Sequence, residues 1–468
     1  MRYSVPVLAL ALAVAGCSAP PSEPSPEPTA PVPATTTAAR TPSPTPSPTP
    51  PPTVPLVLAV HHSRTPPDLT RAAAEGIVGS SDVAEVADET LAVVDGREDP
   101  GAAIEQLTQD PGVLAIVPVG AVDERVRVAT VDAVDPLLEP DAYPLTVEAD
   151  EAVEPTITTV TIVGDIMLGR RVGAGIVDDP AAPFRPFAER LSAADVTIGN
   201  FESTLSDNGQ PIQGGDSFAA DPAVLEGLRL AGFDAVSLAN NHMGDFGDVA
   251  MAESFAIFDD AGIDYFGGGP DLDAARAPWI VEDDGVSVGF IGTESIGEAP
   301  GATADSGGTN RLNMPPRTGP LDEEALDRIA GDIAALDEQV DTVIVVPHWG
   351  AQYTHAPEPI QHDVAARFAE AGADLVIGGH PHWVQGWEVI GETTVVHSLG
   401  NFIFDMDFNR EVQEGVFVEI VLWDGEVKAM APVPYVIDDH IPRPAEPEEA
   451  AKILADMRST STGPYAAG

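Results

Sequence analysis

Seven side chains that could bind a metal ion or donate a proton follow apolar runs of this sequence. They are Asp165, Glu202, Asn241, His242, His348, His380 and His382. In α/β proteins ligands gather beyond the carboxyl ends of strands, so separate loops can bring such residues to one point. Carboxylate, amide and imidazole groups bind divalent ions, which serve in the hydrolysis of stable esters. The set therefore predicts a metal-dependent hydrolase.

Each of these signals also has an ordinary structural interpretation. A Gly-Asp pair after a strand, as at Asp165, is common in turns, and Asn-Asn-His before Met243 could form a turn or a helix cap. A histidine beside Trp349 could be a hydrogen-bonded core residue. Five loops with ligand-type residues, each after an apolar run, are hard to explain as caps and turns together, so we favour one shared site.

The apolar runs also predict the elements that position these residues. Strands are expected near 157–163, 196–198, 235–238, 286–291, 342–346, 375–377, 394–396 and 416–422, and helices near 222–231, 250–261, 322–336 and 360–371. Strands that are almost continuously apolar favour sheets covered on both faces. Residues 157–437 are therefore predicted to form one α/β domain.

A smaller α/β module is predicted over residues 55–152. Strands near 56–60, 91–94 and 113–117 alternate with helices near 69–76 and 104–107. The module faintly resembles part of a solute-binding protein lobe. It contains no set of residues with evident chemistry, and we interpret the pair His61 and His62 as incidental. Acidic residues 148–154 are expected to link it to the main domain, and residues 438–468 form an acidic C-terminal tail with a peripheral helix and a loose end.

The N-terminus is typical of an exported protein. A basic start and the apolar run 5–14 precede Cys17, the single cysteine, and the run is too short to span a bilayer as a mature helix. Residues 1–17 resemble a lipoprotein signal, in which Cys17 becomes the lipidated first residue; the alternative is ordinary cleavage with a chance free cysteine. Residues 18–54 are rich in Pro, Ser and Thr and predict a disordered stalk. We expect an extracytoplasmic protein held on the cell membrane by a lipid anchor.

The charge of the chain is strongly negative. It has 22 Lys+Arg against 75 Asp+Glu, a formal net charge of -53. Such a surface repels nucleic acid, so no nucleic-acid partner is expected. It also repels soluble polyanions, except where bound cations reverse the local field. The acidic composition is otherwise explained by genome bias or a salty habitat.

An ordered set of motifs resembles a known family. The segments 164–170, 200–202, 239–242, 348–350, 379–382 and 398–402 are similar to those of the bacterial capsule-synthesis (CapA, poly-γ-glutamate synthesis) family. That family is itself similar to the calcineurin-like metallophosphoesterases. The resemblance covers about 157–437 and implies a four-layer α/β/β/α sandwich with its site at the strand ends. It also implies a role in capsule or poly-γ-glutamate biosynthesis, with capsule synthesis or export proteins as possible partners.

The resemblance also implies roles for the residues. Asp165 and His382 would bind a first metal ion, Glu202 would bridge, and a second ion would be bound by Asn241, His348 and His380. His242 would be a general acid and not a ligand. Arg170 would hold an anionic substrate, either a phosphoester or an anionic polymer. Manganese, iron or zinc would each suit this mixture of nitrogen and oxygen ligands.

Two positions depart from the resemblance. Met167 stands where the phosphoesterase motif has a histidine, and a thioether is a poor ligand for a hard ion, so the protein could hold one ion or two. Gln352 stands where the capsule family often has Glu. Among the other histidines, His355, His362 and His440 are expected to be structural or exposed, and His397 is the most plausible exception.

Three functions compete at this point. The first is a surface-anchored hydrolase, which the general acid His242 favours. The second is a non-catalytic component of a capsule export complex that binds the polymer through its metal site, which Met167 favours. A wall-bound solute-binding protein explains the anchor but not the motifs after residue 157.

Overall fold

The computed structural model describes residues 51–80, 82–86 and 89–466. The predicted signal segment 1–17 with Cys17, and residues 18–50 of the predicted stalk, lie outside the described residues. From Pro51 onward the chain forms one compact unit. Within the described ranges, no helix combines the length and the apolar composition that crossing a membrane requires.

The first ten elements build the small module. They are β1 (Thr53–His61), β2 (Asp68–Leu69), α1 (Arg71–Val78), β3 (Val83–Val86), β4 (Glu89–Asp95), α2 (Pro100–Gln109), β5 (Val113–Pro118), β6 (Val126–Val128), β7 (Thr130–Val131) and β8 (Thr146–Glu148). The module sheet has the order β3-β4-β5-β1-β6, and β8 pairs with the start of β1. Helix α2 begins where the Asp99 side chain accepts a hydrogen bond from Ala102 N, with Pro100 in its first turn. The strands and helices predicted here are confirmed, and β1 begins within the last residues assigned to the stalk.

The remaining elements build the main domain. They are β9 (Ile157–Ile166), α3 (Arg170–Gly175), α4 (Ala188–Leu191), β10 (Val196–Phe201), β11 (Thr204–Leu205), β12 (Ala219–Ala220), α5 (Leu225–Leu230), β13 (Ala235–Ser237), α6 (Asp248–Ala261), β14 (Asp264–Phe266), β15 (Gly268–Gly269), α7 (Leu272–Arg276), β16 (Trp279–Asp283), β17 (Val286–Glu294), β18 (Gly308–Thr309), α8 (Glu323–Asp337), β19 (Thr342–His348), α9 (Pro359–Glu370), β20 (Leu375–Ile377), β21 (Trp387–Ile390), β22 (Thr393–Val396), β23 (Asn401–Ile403), β24 (Glu414–Trp423), β25 (Glu426–Asp438), β26 (Ile441–Pro444) and α10 (Pro447–Ser459).

Two large sheets organise the main domain. The first main sheet has the order β14-β13-β10-β9-β24-β25-β26, with β23 paired to β9, and the second has the order β16-β17-β19-β20-β22-β21. Strands β9, β10, β13 and β14 are parallel, as are β17, β19, β20 and β22. The carboxyl ends of the parallel strands within each sheet therefore lie on one side. The α/β class predicted from the sequence is confirmed.

Apolar side chains fill the space on both faces of these sheets. One core cluster joins the first main sheet to α5 and α6, for example through Val236, Leu228 and Phe258. A second contains residues of both sheets, such as Ile162 and Ile344. A third joins the second main sheet to α8 and α9. Burial on both faces explains why the strands are apolar almost throughout.

The acidic C-terminal segment is folded over its described length. Strand β26 pairs with β25, and α10 follows, with a capping box formed by Glu446 and Glu449. Beyond the helix, Tyr465 is fully buried, and its hydroxyl lies 2.9 Å from Thr394 Oγ1. The sequence led us to expect a loose end here, and that expectation is wrong up to Tyr465, because one buried aromatic ring anchors an otherwise polar segment.

The small module packs against the main domain through aromatic side chains. Trp423 of β24 belongs to the core of the module and donates a hydrogen bond from Nε1 to Leu137 O, at 2.8 Å. His62 is fully buried, with Nε2 3.1 Å from Met430 O, and its ring lies edge-on to Tyr465 at 4.7 Å between centroids. His62, which we interpreted as incidental, is thus a structural residue of this contact.

We predict that His62 makes the stability of the protein depend on pH. Burial lowers the pKa of His62 well below its usual range, so the folded state keeps the ring neutral. The unfolded state takes up a proton below about pH 6.5, and His62 therefore costs about 1.4 kcal/mol of stability per pH unit below that value. Urea denaturation of wild type and His62→Phe at several pH values should show a steeper loss for wild type below pH 6.5.

The exposed histidine of α9, His362, with a side chain 55% exposed, offers a matched control. The His362→Gln variant should follow the wild-type curve. Parallel curves for wild type and His62→Phe between pH 7.5 and 5.5 would show that His62 is protonated in the folded state, contrary to this prediction.

Candidate metal centre

The ends of strands from both main sheets bring three predicted ligands together. Asp165 lies near the end of β9, Glu202 directly follows β10 and His348 ends β19. Ligand atoms of these three fully buried or nearly buried residues lie within 4.8 Å of one another. A bridge between His348 and Gly379 continues the pairing of β19 and β20 beyond their ends, which keeps the segment after β20 close to the cluster. Strand ends from two sheets thus deliver carboxylates and an imidazole to one point.

His380 and His382 also reach this cluster, but not by the extended backbone that the sequence suggested. Both residues have positive φ, 92° for His380 and 59° for His382, in the region that L-residues rarely adopt. His380 donates its backbone N–H to Asp165 Oδ2 at 3.2 Å, and His382 Nδ1 lies 3.7 Å from the same oxygen. Our reason for their shared direction was therefore wrong: a tight loop, and not a strand, turns both residues toward Asp165.

The loop approaches Asp165 so closely that residue 379 must lack a side chain. A Cβ at Gly379 would lie 2.7 Å from Asp165 Oδ1. Strained φ values at two neighbouring histidines persist only where the surrounding structure holds them, and such strain clusters at functional sites. The backbone geometry therefore points to the same place as the side chains.

A scaffold of asparagine side chains, which we did not predict, holds the cluster in place. Asn200 donates from Nδ2 to Asp165 Oδ1 at 2.8 Å, and the same nitrogen lies 3.3 Å from His348 Nδ1. Asn240 donates to Asn200 Oδ1 at 3.0 Å and accepts the backbone N–H of His242 at 3.1 Å. Their positions beside Glu202 and Asn241 in the chain were the available signal, because neighbours of ligands often orient them.

Asn401 has a similar role on the other side. Its Nδ2 donates to Val412 O at 2.9 Å, which leaves Oδ1 to accept from His382 Nδ1 at 2.8 Å. This bond places the proton of the neutral ring on Nδ1, so Nε2 keeps its lone pair. Gln352 lies at the same ring, with Nε2 3.4 Å from His382 Nε2. The Gln352 position, singled out as a departure from the family pattern, is therefore beside a predicted ligand.

Asn241 lies between His348 and an acidic side chain that we also did not predict. Its Oδ1 is 2.9 Å from His348 Nε2, and its Nδ2 donates to Glu298 Oε2 at 2.8 Å. The bond to Glu298 sets which end of the amide faces the cluster. Asn241 thus presents an oxygen where the sequence predicted a ligand.

His242 lies at the edge of the cluster and is fixed on three sides. Its Nε2 is 3.7 Å from Glu202 Oε1, and its Nδ1 donates to Asp245 Oδ2 at 2.6 Å. Asp245 also accepts from Phe218 N at 2.7 Å and from Gln213 at 2.5 Å. The ring of Phe218 stacks on the imidazole, with 3.7 Å between centroids. The protonatable nitrogen that faces the site is therefore Nε2.

Arg170 lies against the same aromatic ring. Its guanidinium is 4.4 Å from the centroid of Phe218, forms an ion pair with the buried Asp405 and lies 3.7 Å from the exposed Asp216. Its side chain is 24% exposed. The structure places Arg170 on the ring of Phe218, which also stacks on His242, and not among the predicted ligands.

Burial shifts the pKa values of the cluster in a consistent way. Burial raises the pKa of Asp165 to about 6. The pKa of Glu202 is raised well above its usual range, mainly by burial and then by the neighbouring Asp165 carboxylate. Burial lowers the pKa of His382 to about 3, and it lowers the pKa values of His348 and His380 well below their usual range. The imidazoles are thus neutral, and the positive charge of Arg170 offsets only part of the cost of ionising Glu202.

Three buried atoms of the cluster lack a hydrogen-bond partner among the described residues. They are Glu202 Oε1 and both ring nitrogens of His380. Buried polar atoms are almost always paired, so unpaired atoms in one place call for an explanation. A divalent cation bound by the carboxylates and the neutral imidazoles would satisfy them and offset the buried negative charge. The residues present therefore fit a metal ion.

The departures noted in the sequence lie at or near this site. Met167 is fully buried in the apolar core, and its sulfur accepts the backbone N–H of Gly169 at 3.2 Å. His397 is the histidine that the sequence suggested as an exception. It pairs with Glu388 at 2.8 Å and stacks on Trp349, the residue that follows β19, so its contacts are structural. His355 and His362 also make local hydrogen bonds, to Val384 O and to Glu388.

Comparison with known proteins identifies the family. The model of the bacterial capsule synthesis protein family PGA_cap matches residues 159–406, which include every predicted metal ligand. The chain belongs to this family. It is similar to the capsule biosynthesis protein CapA of Bacillus anthracis, with 31% identity over 61% of this chain and 69% of that protein. It is also similar to the PGA biosynthesis protein CapA of Bacillus subtilis, with 28% identity over 54% and 65% of the two chains.

A solved structure with a detectable overlap is that of the NAD nucleotidase of Haemophilus influenzae. The overlap has a TM-score of 0.35 and 10% identity, and covers 66% of this chain and 64% of the nucleotidase.

We predict that Mn²⁺ stabilises the folded protein and that Glu202 is required for this effect. A ligand at 100 times its dissociation constant adds about 2.7 kcal/mol of stability. Thermal unfolding with and without Mn²⁺ should show a higher melting temperature for wild type, and Glu202→Gln should lose most of that increase. In a chelator, Glu202→Gln should be more stable than wild type at pH 8, because it removes a carboxylate whose ionisation burial and the adjacent Asp165 make costly.

Glu414 provides the control, because it is also buried but well paired. It accepts from Arg410 Nε at 3.1 Å and from Lys452 Nζ at 2.8 Å. Glu414→Gln should destabilise the protein with or without the ion and leave the Mn²⁺-induced increase unchanged. An increase of equal size in Glu202→Gln would contradict a cation site at this cluster.

Proposed function

We propose that this protein is a metal-dependent hydrolase of the phosphoesterase type that acts in capsule or poly-γ-glutamate biosynthesis. Membership of the capsule-synthesis family supports the biological process. The placement of His242 carries the chemical proposal. A site that only binds carboxylates through a metal ion needs no proton donor, whereas here the imidazole is held by Asp245 with Nε2 3.7 Å from Glu202.

The proposed ligand roles are those that the family resemblance implied. Asp165 and His382 would hold a first ion, Asn241, His348 and His380 would hold a second, and Glu202 would contribute a carboxylate to both. Manganese, iron or zinc would each suit these donors. Such ions would supply positive charge for a phosphoryl oxygen and would lower the pKa of water to about 7. Met167 replaces a histidine ligand of the phosphoesterase motif, so the remaining ligands alone would determine whether one ion or two bind.

His242 acts as the general acid in this proposal. Its Nε2 proton passes to the oxygen of the departing alcohol, which therefore leaves as a neutral group. Asp245 holds the Nδ1 proton and stabilises the imidazolium before transfer, as a carboxylate partner does in other acid–base pairs. The stacked ring of Phe218 fixes the imidazole plane, and Arg170, on the same ring, binds an anionic oxygen of the substrate.

The proposed location is the outer face of the cell membrane, with Cys17 as the lipid anchor and residues 18–50 as a spacer. An enzyme there would meet exported polymer and its carrier esters. Capsule synthesis or export proteins are the proposed partners, and the net charge of -53 argues against nucleic acid.

A second candidate function is metal-dependent binding of an anionic polymer without catalysis. The observation in its favour is Met167, whose side chain lies in the apolar core where the phosphoesterase motif has a ligand. A weaker pair of ions could still hold carboxylates. In that case the metal site would retain polymer near an export complex.

We predict that His242→Gln affects substrates according to their leaving group. Turnover of an alkyl phosphate such as glycerol 2-phosphate should fall by about 10²–10⁴, because its alkoxide is a poor leaving group that needs a proton. Turnover of p-nitrophenyl phosphate, whose leaving group is a stable anion, should fall much less. Steady-state kinetics with Mn²⁺ measure both values.

His362→Gln serves as the control and should leave both rates unchanged, since His362 is exposed on α9. An equal loss of turnover for the two phosphates in His242→Gln would show that His242 is not the general acid. If wild type shows no turnover above a Glu202→Ala, His242→Ala double variant, the hydrolase proposal itself fails.

The binding alternative makes a different prediction. Immobilised protein loaded with Mn²⁺ should retain poly-γ-glutamate, and a chelator should release it, because the ion reverses the negative field at the site. Retention should also be lost in Glu202→Gln. Equal retention with and without chelator would count against polymer binding through this centre.

A further inference from the structure

A second arginine lies beside the metal centre, on the side of Asn241. Glu298 accepts from Asn241 Nδ2 at 2.8 Å with one oxygen and pairs with Arg317 at 2.5 Å with the other. Asn241 in turn lies 2.9 Å from His348. A continuous chain of contacts therefore runs from the buried cluster to a guanidinium that is 33% exposed.

The loop that carries Glu298 is held by a buried carboxylate. Glu294, at the end of β17, accepts from Ile296 N at 2.5 Å and from Gly297 N at 2.7 Å, and Gly297 has a φ of 95°. The segment with Arg317 is tied to the same loop, because Thr318 donates to Ser295 O at 3.3 Å. Two loops with internal hydrogen bonds thus fix the position of Arg317 relative to the centre.

The guanidinium of Arg317 keeps unused donors. A guanidinium has five N–H groups in a planar fork, and in the part of the chain that the structure describes its one hydrogen-bond and ion-pair partner is Glu298. Arg170, by contrast, lies beside Phe218 and His242.

We propose that Arg317 binds an oxyanion of the substrate that lies outside the metal centre. The substrate of the proposed hydrolase would then carry a carboxylate or a second phosphate in addition to the phosphoester that is cleaved. This proposal rests on the proposed function and names the class of its substrate. A planar fork of N–H donors suits a carboxylate and a phosphate alike. Hydrogen bonds between such a cation and an anion are stronger than those between neutral groups. In a chain with a net charge of -53, such donors would give a substrate oxyanion a local partner on an otherwise acidic surface.

The test compares three aryl phosphates with Mn²⁺-loaded full-length protein. Phenyl phosphate has no second charge, 4-carboxyphenyl phosphate adds a carboxylate, and 1,4-phenylene bisphosphate adds a phosphate. Wild type should prefer the charged substrates in kcat/KM. Arg317→Gln should lower that preference about tenfold or more, mainly through KM, and Arg317→Lys should restore part of it. The charged substrate whose kcat/KM advantage falls more in Arg317→Gln shows whether the bound oxyanion is a carboxylate or a phosphate.

The control is Arg367→Gln on α9, whose side chain is 38% exposed and paired with Asp327 at 2.6 Å. It should keep the wild-type preference. A second measurement is the Mn²⁺ affinity of each variant by calorimetry. If Arg317→Gln weakens Mn²⁺ binding and slows all three substrates equally, Arg317 only supports Asn241, and the proposal is overturned. An unchanged preference in Arg317→Gln overturns it as well.

Failure of the hydrolase proposal can be separated from failure of this one. If wild type hydrolyses none of the three compounds, calorimetry with phenylphosphonate and 4-carboxyphenylphosphonate measures binding directly. Tighter binding of the carboxylate compound to wild type but not to Arg317→Gln supports the oxyanion site without catalysis. Equal affinities in both proteins reject it.

Discussion

Two carboxylates buried at one point are the constraint on which the rest of the site depends. Asp165 and Glu202 are both fully buried; burial raises the pKa of each, and the Asp165 carboxylate makes the ionised form of Glu202 more costly still. The imidazoles around them are kept neutral by burial, so they offer lone pairs and no compensating charge. Such an arrangement is unfavourable by itself and becomes favourable when a cation binds, because binding energy is then also folding energy.

The scaffold around these carboxylates depends on strand register. Between Gly199 and Asn200 the pairing of β10 with β9 shifts, so that Asn200 pairs with Asp165. An irregularity of this kind re-aims side chains and is common beside active sites. It allows the Asn200 amide to reach Asp165, while Glu202 still follows at the strand end. The hydrogen bond from Asn200 to Asp165 therefore depends on a local irregularity in the pairing of these two strands.

Much of the fold was accessible from the sequence, and the reason is physical. Continuous apolar runs specify buried strands wherever both faces of a sheet are covered, so the strands of the main domain and their terminal ligands could be predicted. The supporting residues could not. Asn200 acts through a register shift, Glu298 through a loop that Glu294 holds, and Asp245 through a turn after His242. These contacts depend on backbone conformations that no periodicity encodes. The same is true of the contact between His380 and Asp165, where His380 has a positive φ.

The distribution of charge indicates where an anion could approach so acidic a protein. A cavity of about 690 Å³ lies between the small module and the amino-terminal side of the second main sheet, beside Asp341 before β19 and Asp374 before β20. It is lined by seven acidic side chains and one arginine, Arg125, which already pairs with Asp123 at 2.6 Å. An anion is repelled there. The predicted metal ligands with unpaired atoms lie at the carboxyl ends of the strands, and Arg170 and Arg317 lie nearby. A cation bound there would make this side of the protein the favourable one for an anion. The field of the whole protein would then direct an anion toward the metal centre and away from the larger cavity.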